Sequence, residues 1–409
     1  MSHRTRARWG VVAVIATTAL LAGCSSTGGS DDEAPAGDPV TVGVIVSQTG
    51  IYSTQAKDFV NGFNAGLDYI TDGTGIVAGH EVNVLVGDDT GQASVGTAKA
   101  KEFLGEGATI LTGPTDSAIA LAVAEQAIQN NALYIAGTSG TTATVGMNKL
   151  VFPTSGPSPA GNLVVNAILG DDPEGKTIAV IGQDVAFGQA QAAALKTQME
   201  PLGVKVESFL LPATTTDFTP LAIQLKDLKP DFITSNWAAA GTTQLLGTLA
   251  SQGVTEESTY FQFLFLSAGW PAIADALGDT VDNALLYTTY FEGATGNEQE
   301  QALIEYSKAN DHKIEYDDLI GFNAALMAAR AIEEGDITDG ASMADALQGW
   351  SFTGPSGEVI IRAEDNQITL PAFTTNLVKD KDGNWAPKLV KAYTAKELEP
   401  PVLKPLPAE

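Results

Sequence analysis

From Val40 onward the chain repeats one pattern, a short continuous apolar run followed by an amphipathic stretch of helical period. "VTVGVIV" (Val40 to Val46) precedes helical periodicity from Gln55 to Tyr69, "VNVLVG" (Val82 to Gly87) precedes Ser94 to Leu104, and "ATILTG" (Ala108 to Gly113) precedes Ser117 to Asn130, before "ALYIAG" (Ala132 to Gly137). Strands without polar alternation must be buried on both faces, and a helix after each strand supplies the cover. The segment therefore predicts a doubly wound parallel α/β sheet. After "VFPTS" (Val151 to Ser155) the pattern restarts with strands at "TIAVIG" (Thr177 to Gly182), "VKVESFLL" (Val204 to Leu211), "DFITSNW" (Asp231 to Trp237) and "FLFLS" (Phe263 to Ser267). Helical patterns separate them at Phe187 to Leu202, around Leu221 to Leu228 and at Thr242 to Ser251, which predicts a second lobe of the same class. The last third holds helical patterns at Asn297 to Asn310, Leu319 to Glu333 and Ala341 to Leu347, then a hairpin from Asn376 to Val390 turning at Asp382-Gly383. A chain of 409 residues exceeds what one core serves. Two α/β lobes with leftover helices and strands predict a chain that crosses between lobes more than once.

The N-terminus reads as a processing segment. Arg4, Arg6 and Arg8 precede "VVAVIATTALL" (Val11 to Leu21), too short for an ordinary span of the roughly 30 Å hydrocarbon layer and typical of a signal sequence. "LAGC" (Leu21 to Cys24) follows and resembles the bacterial lipobox, which implies export, lipid on the Cys24 sulfur and cleavage before it. Cys24 is the only cysteine, so no disulfide is available. "SSTGGSDDEAPAGD" (Ser25 to Asp38) has the composition of a flexible tether. Residues 1–23 are expected to be the signal peptide and 24–39 the lipidated cysteine with its leash. Losing a segment with three arginines and no acid takes the formal charge from −27 to −30. So acidic a surface repels phosphate backbones and argues against nucleic acid as a partner.

In open parallel sheets ligands bind beyond the carboxyl ends of the strands. The loops rich in hydroxyls, glycine or aromatics fall there: "SQTGIYSTQ", "TGPTDS" and "GTSGTT" in the first lobe, "GQDVAFG", "SNWAAAG" and "SAGW" in the second. Two such edges facing each other make a cleft. "TGPTDS" and "GTSGTT" end adjacent strands, so Ser117 and Thr138 line one wall. Ser117 opens a helix, whose free N–H groups and partial positive charge receive a carboxylate; alternatively Ser117, or Asp116 beside it, only caps that helix.

Catalytic equipment is sparse. "GDDPEGKT" (Gly170 to Thr177) matches a phosphate-loop pattern, but a helix precedes it and a strand follows, the reverse of what the motif needs. "DDTG" (Asp88 to Gly91) is half of an aspartic-protease pair and reads better as a loop after a strand. After the signal segment the histidines are His80 and His312, neither in a hydroxyl-rich loop, and no histidine–carboxylate cluster has metal-ligand spacing. No catalytic residue, metal or cofactor is expected, and the weight shifts toward binding.

The residues resemble the branched-chain amino acid type of periplasmic binding protein, the extracytoplasmic component of ABC importers. The resemblance runs from about Val40 to Val390 on "VGVIVSQTG" with Gly62 downstream, "DDTGQ", "GPTDSAIALAVAEQA", "VFPTS", "AFGQAQAAALK", "TTDFTPLAIQLKDLKPDFI" and "GDTVDNALLYTTYF". It implies two lobes that close on a small-molecule ligand by hinge motion and deliver it to membrane permease subunits, with the protein acting as a monomer. It implies crossovers near Thr154 to Pro157, Thr288 to Phe291 and Phe352 to Gly357. The N-terminal lobe would then be residues 40–155 plus 290–352, and the C-terminal lobe 156–289 plus 353–400.

Carried over, the serine that receives the ligand carboxylate is Ser117. The segment one strand later is Thr138 and Ser139, with the following threonine at Gly140 or Thr141. A first-loop aromatic is replaced by Gln55, an aromatic before glycine is kept as Phe187, and a tyrosine falls on Ala238, beside which Trp237 can form the wall. Phe187 and Trp237 can equally be core. Ala268 stands where amino-acid binders of this family carry an acid that pairs with the ligand ammonium. An unpaired ammonium in a closed cleft costs several kcal/mol, roughly three orders of magnitude in affinity. Either another acid such as Asp317 or Asp318 substitutes, or the ligand lacks an ammonium and is a small carboxylate or amide, aromatic ones included. A ligand sensor of the same fold, signalling to a surface partner instead of feeding a permease, is the other function class the sequence admits.

Overall fold

The computed structural model describes residues 37–409 except 51, 155–163, 166–167, 171, 238–240, 264–268, 403 and 408–409, and leaves aside the side chains of 186, 187, 190, 236 and 263. Cys24 and the segment before it, Ala268, and the Phe187 side chain thus lie outside the described residues.

The first sheet has six strands in the order β2-β3-β1-β4-β5-β6. They are β1 (Val40–Val46), β2 (Ile76–Val77), β3 (His80–Asp88), β4 (Ala108–Gly113), β5 (Leu133–Ala136) and β6 (Val151–Pro153). All pairs are parallel except the short β2–β3 pair. Alternate residues feed opposite cores, as the period of two demands. Val42, Val44, Ile110, Leu133 and Ile135 pack on one face with Phe59 and Leu319, while Ile45, Leu111 and Tyr134 pack on the other with Phe103 and Val123. Covering the two faces are helices Ser53–Ile70 and Tyr316–Glu334 on the one side and Ala93–Gly105 and Ser117–Gln129 on the other.

The second sheet has seven strands in the order β16-β15-β11-β10-β9-β7-β8. Parallel strands β7 (Thr177–Gln183), β8 (Lys205–Leu211), β9 (Phe232–Asn236), β10 (Thr259–Phe263) and β11 (Ala284–Thr288) are joined by antiparallel β15 (Ala372–Lys379) and β16 (Trp385–Tyr393). Its faces again separate two cores, Ala179, Ile181, Ile233 and Tyr260 on one and Ile178, Val180, Val206 and Phe261 on the other. A strand is described at Thr259–Phe263, and all but the first residue of the one expected at Phe263–Ser267 lies outside the described residues. Gln262 interrupts the apolar run and hides its start; the Tyr260 hydroxyl donates to the Gln262 side chain and lies 2.8 Å from Ser235 Oγ, so the polar group is satisfied where it stands.

The chain returns to the first lobe after β11. Glu300, fully buried on helix Glu298–Ala309, accepts the backbone N–H groups of Gly293 and Ala294 at 2.8 and 3.1 Å and those of Thr295 and Gly296 at 3.1 and 2.5 Å. Thr295 Oγ1 and Asn297 Nδ2 then donate to the carbonyls of Pro355 and Gly354 at 2.9 Å each. Helix Tyr316–Glu334 meets helix Ser53–Ile70 backbone to backbone: a Cβ on Gly62 would lie 1.9 Å from the Asp318 carbonyl oxygen, and one on Gly321 would lie 2.1 Å from that of Phe59.

A three-stranded sheet of β12 (Ser351–Gly354), β13 (Gly357–Ile361) and β14 (Ile368–Thr369), not foreseen from sequence, puts Val359, Ile361, Ile368 and Leu370 into the first core. The final passage to the second sheet therefore comes between Leu370 and Ala372 rather than near Phe352 to Gly357. Residues 353–370, expected with the C-terminal lobe, pack with the N-terminal one. Among the described residues no helix is long and apolar enough to cross a membrane.

Candidate functional site

Strands β1, β4 and β5 run parallel, so the loops after them emerge at one sheet edge. At Gly113 the backbone turns with φ +86° into a cis bond to Pro114, and a Cβ there would lie 2.0 Å from the Ile45 carbonyl oxygen, so only glycine fits. Gly137 N donates to Gly113 O at 3.0 Å, and Thr138 Oγ1 lies 3.0 Å from Thr115 Oγ1. The two hydroxyl-rich loops are thus tied together, as their places on adjacent strands predict.

At the start of helix Ser117–Gln129 the cap is Asp116, whose Oδ1 accepts from Ala118 N at 2.8 Å and Ile119 N at 3.1 Å. Ser117 is exposed in the first helical turn and takes no part in that cap. Capping is therefore done by its neighbour, and the Ser117 hydroxyl faces outward at the positive end of the helix dipole.

Asp317, in the first turn of helix Tyr316–Glu334 and 4% exposed, has the Thr138 hydroxyl as a polar neighbour. Burial first, and then repulsion from Asp318, push the Asp317 carboxyl up to about 7, against the Thr138 hydroxyl that favours the ionised form. Asp318 completes a capping box, accepting from Glu315 N at 2.8 Å, and takes a bond from Asn61 Nδ2 at 2.6 Å. His312 Nε2 stands 2.9 Å from Asp318 Oδ1 and 3.5 Å from Asp58 Oδ1. Burial, followed by repulsion from Asp318 and Asp317, raises Asp58 to about 7, while the hydrogen bond to Asp318 raises His312. Sequence spacing concealed this grouping because Asp58 comes from helix Ser53–Ile70, whereas Asp318 and the loop before it that carries His312 come from the last third of the chain.

The remaining candidates are dispersed. Ser139 is buried, and Thr141 caps a short 3-10 turn (Thr142–Thr144) by accepting from Ala143 N at 3.2 Å. Gln55 sits half-buried in the first turn of helix Ser53–Ile70. Trp237 is buried in the second lobe's core, edge-on to Phe218 with ring centroids 5.1 Å apart, and a Cβ on Gly241 would strike its indole nitrogen at 2.2 Å. That is a packing role. Phe187 belongs to helix Ala186–Met199, which follows β7.

The two sequence decoys also resolve. In "DDTG", Asp88 accepts from Thr49 Oγ1 and Thr90 N, both at 2.8 Å, and Asp89 accepts from Ser47 Oγ at 2.5 Å and Gly91 N at 2.8 Å; the pair laces the loop after β3 to the loop after β1. Lys176, the would-be phosphate lysine, donates to the Leu169 carbonyl and lies 5.7 Å above the Phe232 ring, on the segment entering β7.

Comparison with known proteins agrees with this architecture. A family model described as periplasmic binding protein matches residues 39–384. The Leu/Ile/Val-binding protein homolog 6 of Brucella abortus is 25% identical over 368 residues, covering 87% of this chain and 92% of its own. The crystal structure of an ABC-type branched-chain amino acid transporter protein from Rhodopseudomonas palustris superposes with a TM-score of 0.79 at 25% identity, covering 89% of this chain and 99% of that one. A solute-binding protein of an ABC transporter from another strain of that species, in complex with p-hydroxybenzoic acid, reaches a TM-score of 0.72 at 20% identity, covering 89% of this chain and 98% of its own. With two doubly wound lobes, repeated passages between them and a family match over most of its length, the chain belongs to the periplasmic binding protein family.

Proposed function

We propose that this protein is the extracytoplasmic solute-binding lipoprotein of an ABC importer, lipid-anchored through Cys24 and handing a small carboxylate to permease subunits without turning it over. The carrying observation is the division of labour at helix Ser117–Gln129: Asp116 does the capping, which leaves the exposed Ser117 hydroxyl for a ligand head group beside the Thr115–Thr138 pair. The ligand carboxylate takes the Ser117 hydroxyl and neighbouring amides as donors. Relatives with this fold include one holding an aromatic carboxylate and others named for branched-chain amino acids, which supports a carboxylate head with an apolar body.

A second reading rests on Asp317, a buried carboxylate beside Thr138 that can take the place of the missing acid at Ala268 and hold an ammonium. A thermal-shift screen of aromatic acids, keto acids, amides and amino acids separates the two. Ligand at about 100 times its dissociation constant adds about 2.7 kcal/mol of stability. Stabilisation by aromatic or keto acids is the expected result. Stabilisation by amino acids but not by their deaminated analogues would transfer the assignment to Asp317, and no shift with any carboxylate would end the proposal.

A further inference from the structure

Asp58 is the most unusual buried group among the described residues. It is 3% exposed, its Oδ2 has no hydrogen-bond partner, and the His312 ring nitrogen Nε2 stands 3.5 Å from its Oδ1. Leaving such an oxygen without a donor is costly unless something else occupies its lone pairs. One ligand atom each from Asp58, His312 and Asp318 lie within 4.8 Å of one another. The two tightest separations, 2.9 and 3.5 Å from His312 Nε2 to the two carboxylates, are close to the roughly 3.0 to 3.4 Å between donors that share one ion at about 2.1 Å.

We propose that Asp58, His312 and Asp318 form a divalent-cation site that pins helix Ser53–Ile70 to the first turn of helix Tyr316–Glu334. One imidazole and two carboxylates suit zinc or a similar first-row ion, whereas calcium and magnesium favour all-oxygen shells. Three protein donors leave a fourth position for water. The ligands are already oriented: Asp318 is held by Asn61 Nδ2 and Glu315 N, the outer partners that fix a ligating carboxylate. An entry path exists where His312, Ser307 and Glu292 line an open pocket of about 360 Å³. The ion needs a neutral imidazole and ionised carboxylates, so any protons on these ligands leave to solvent on binding and affinity rises with pH.

The test uses tag-free protein stripped with chelator and titrated with zinc chloride in a calorimeter, with Co2+ absorption as an independent report of imidazole coordination. The expected result is one saturable site, a visible Co2+ band, and at least a tenfold loss of affinity in both Asp58→Asn and His312→Gln with unchanged circular dichroism. Asp58→Asn removes a buried charge and keeps the shape, so it guards against failure to fold. Weak binding at several equivalents that neither variant alters would show only the acidic surface and overturn the proposal, as would the absence of a Co2+ band. Neither result bears on the carboxylate ligand assigned to Ser117, because the screen for that ligand is run in chelator.

Discussion

Replacing Asp317 by asparagine makes the folded chain's dependence on pH measurable at one residue. The carboxyl is raised from 3.8 to about 7, chiefly by burial. A group whose folded value lies above its unfolded value favours the fold when protonated; its contribution is complete below about pH 4 and is lost as pH rises through 7. Across that interval the folded chain holds a proton that the unfolded chain has released, which costs about 1.4 kcal/mol per pH unit and about 4 kcal/mol at most over the whole range. Asparagine keeps the shape beside Thr138 but does not titrate. Urea unfolding at pH 4, 6 and 8, in chelator, therefore yields a widening gap. The variant matches the parent near pH 4 and exceeds it by about 2 to 4 kcal/mol at pH 8. A gap that stays constant or reverses would mean that Asp317 ionises normally, which refutes both its burial and its raised affinity for a proton. The same pair reports on the ligand. An aromatic carboxylate seated beside Thr138 binds more weakly to the parent as Asp317 ionises, whereas an amino acid with its ammonium there binds more tightly, and in the variant both trends flatten.

Asp116 and Ser117 are expected to separate stability from binding. Asp116→Ala removes the cap and costs about 1 kcal/mol of stability, whereas Ser117→Ala leaves the melt unchanged and weakens ligand binding by about 1 to 3 kcal/mol in calorimetry. The opposite pattern would reassign the cap. Gly62→Ala forces a methyl into the Asp318 carbonyl, where the space is 1.9 Å, and is expected to cost more than about 3 kcal/mol or to abolish folding, read by circular dichroism and urea midpoint. A mild effect would mean that the two helices do not touch at this point.

Much of the fold was legible because buried parallel strands announce themselves: Ala108–Gly113 and helix Thr242–Ser251 have the bounds that sequence alone indicates. What escaped was short or interrupted. β14 has only two residues, β13 opens on Gly357 and Glu358 and so lacks a continuous apolar run, and Gln262 broke the run that would have marked β10. Ser117 and Thr138 could be placed because each follows directly on a readable strand. Asp317 at the wall, and the grouping of Asp58 with His312 and Asp318, depend on a helix from the last third of the chain packing against the first helix, and no local pattern encodes that. "YDDLIGF" looks like any acidic helix start. The close backbone approach at Gly62 and Gly321 holds that segment against the first helix.

Glu300 would also limit how the two halves swing in the hinge closure that the family resemblance implies. By gripping four successive amides it welds the stretch just past the second passage onto the first lobe's frame, and Thr295 and Asn297 extend the weld to the turn between β12 and β13. Bending on that side is left to the few residues between the end of β11 and Gly293. A fulcrum so short fixes the arc of travel, so lengthening it by even one residue would slacken the aim of the second lobe without touching any group that meets the cargo.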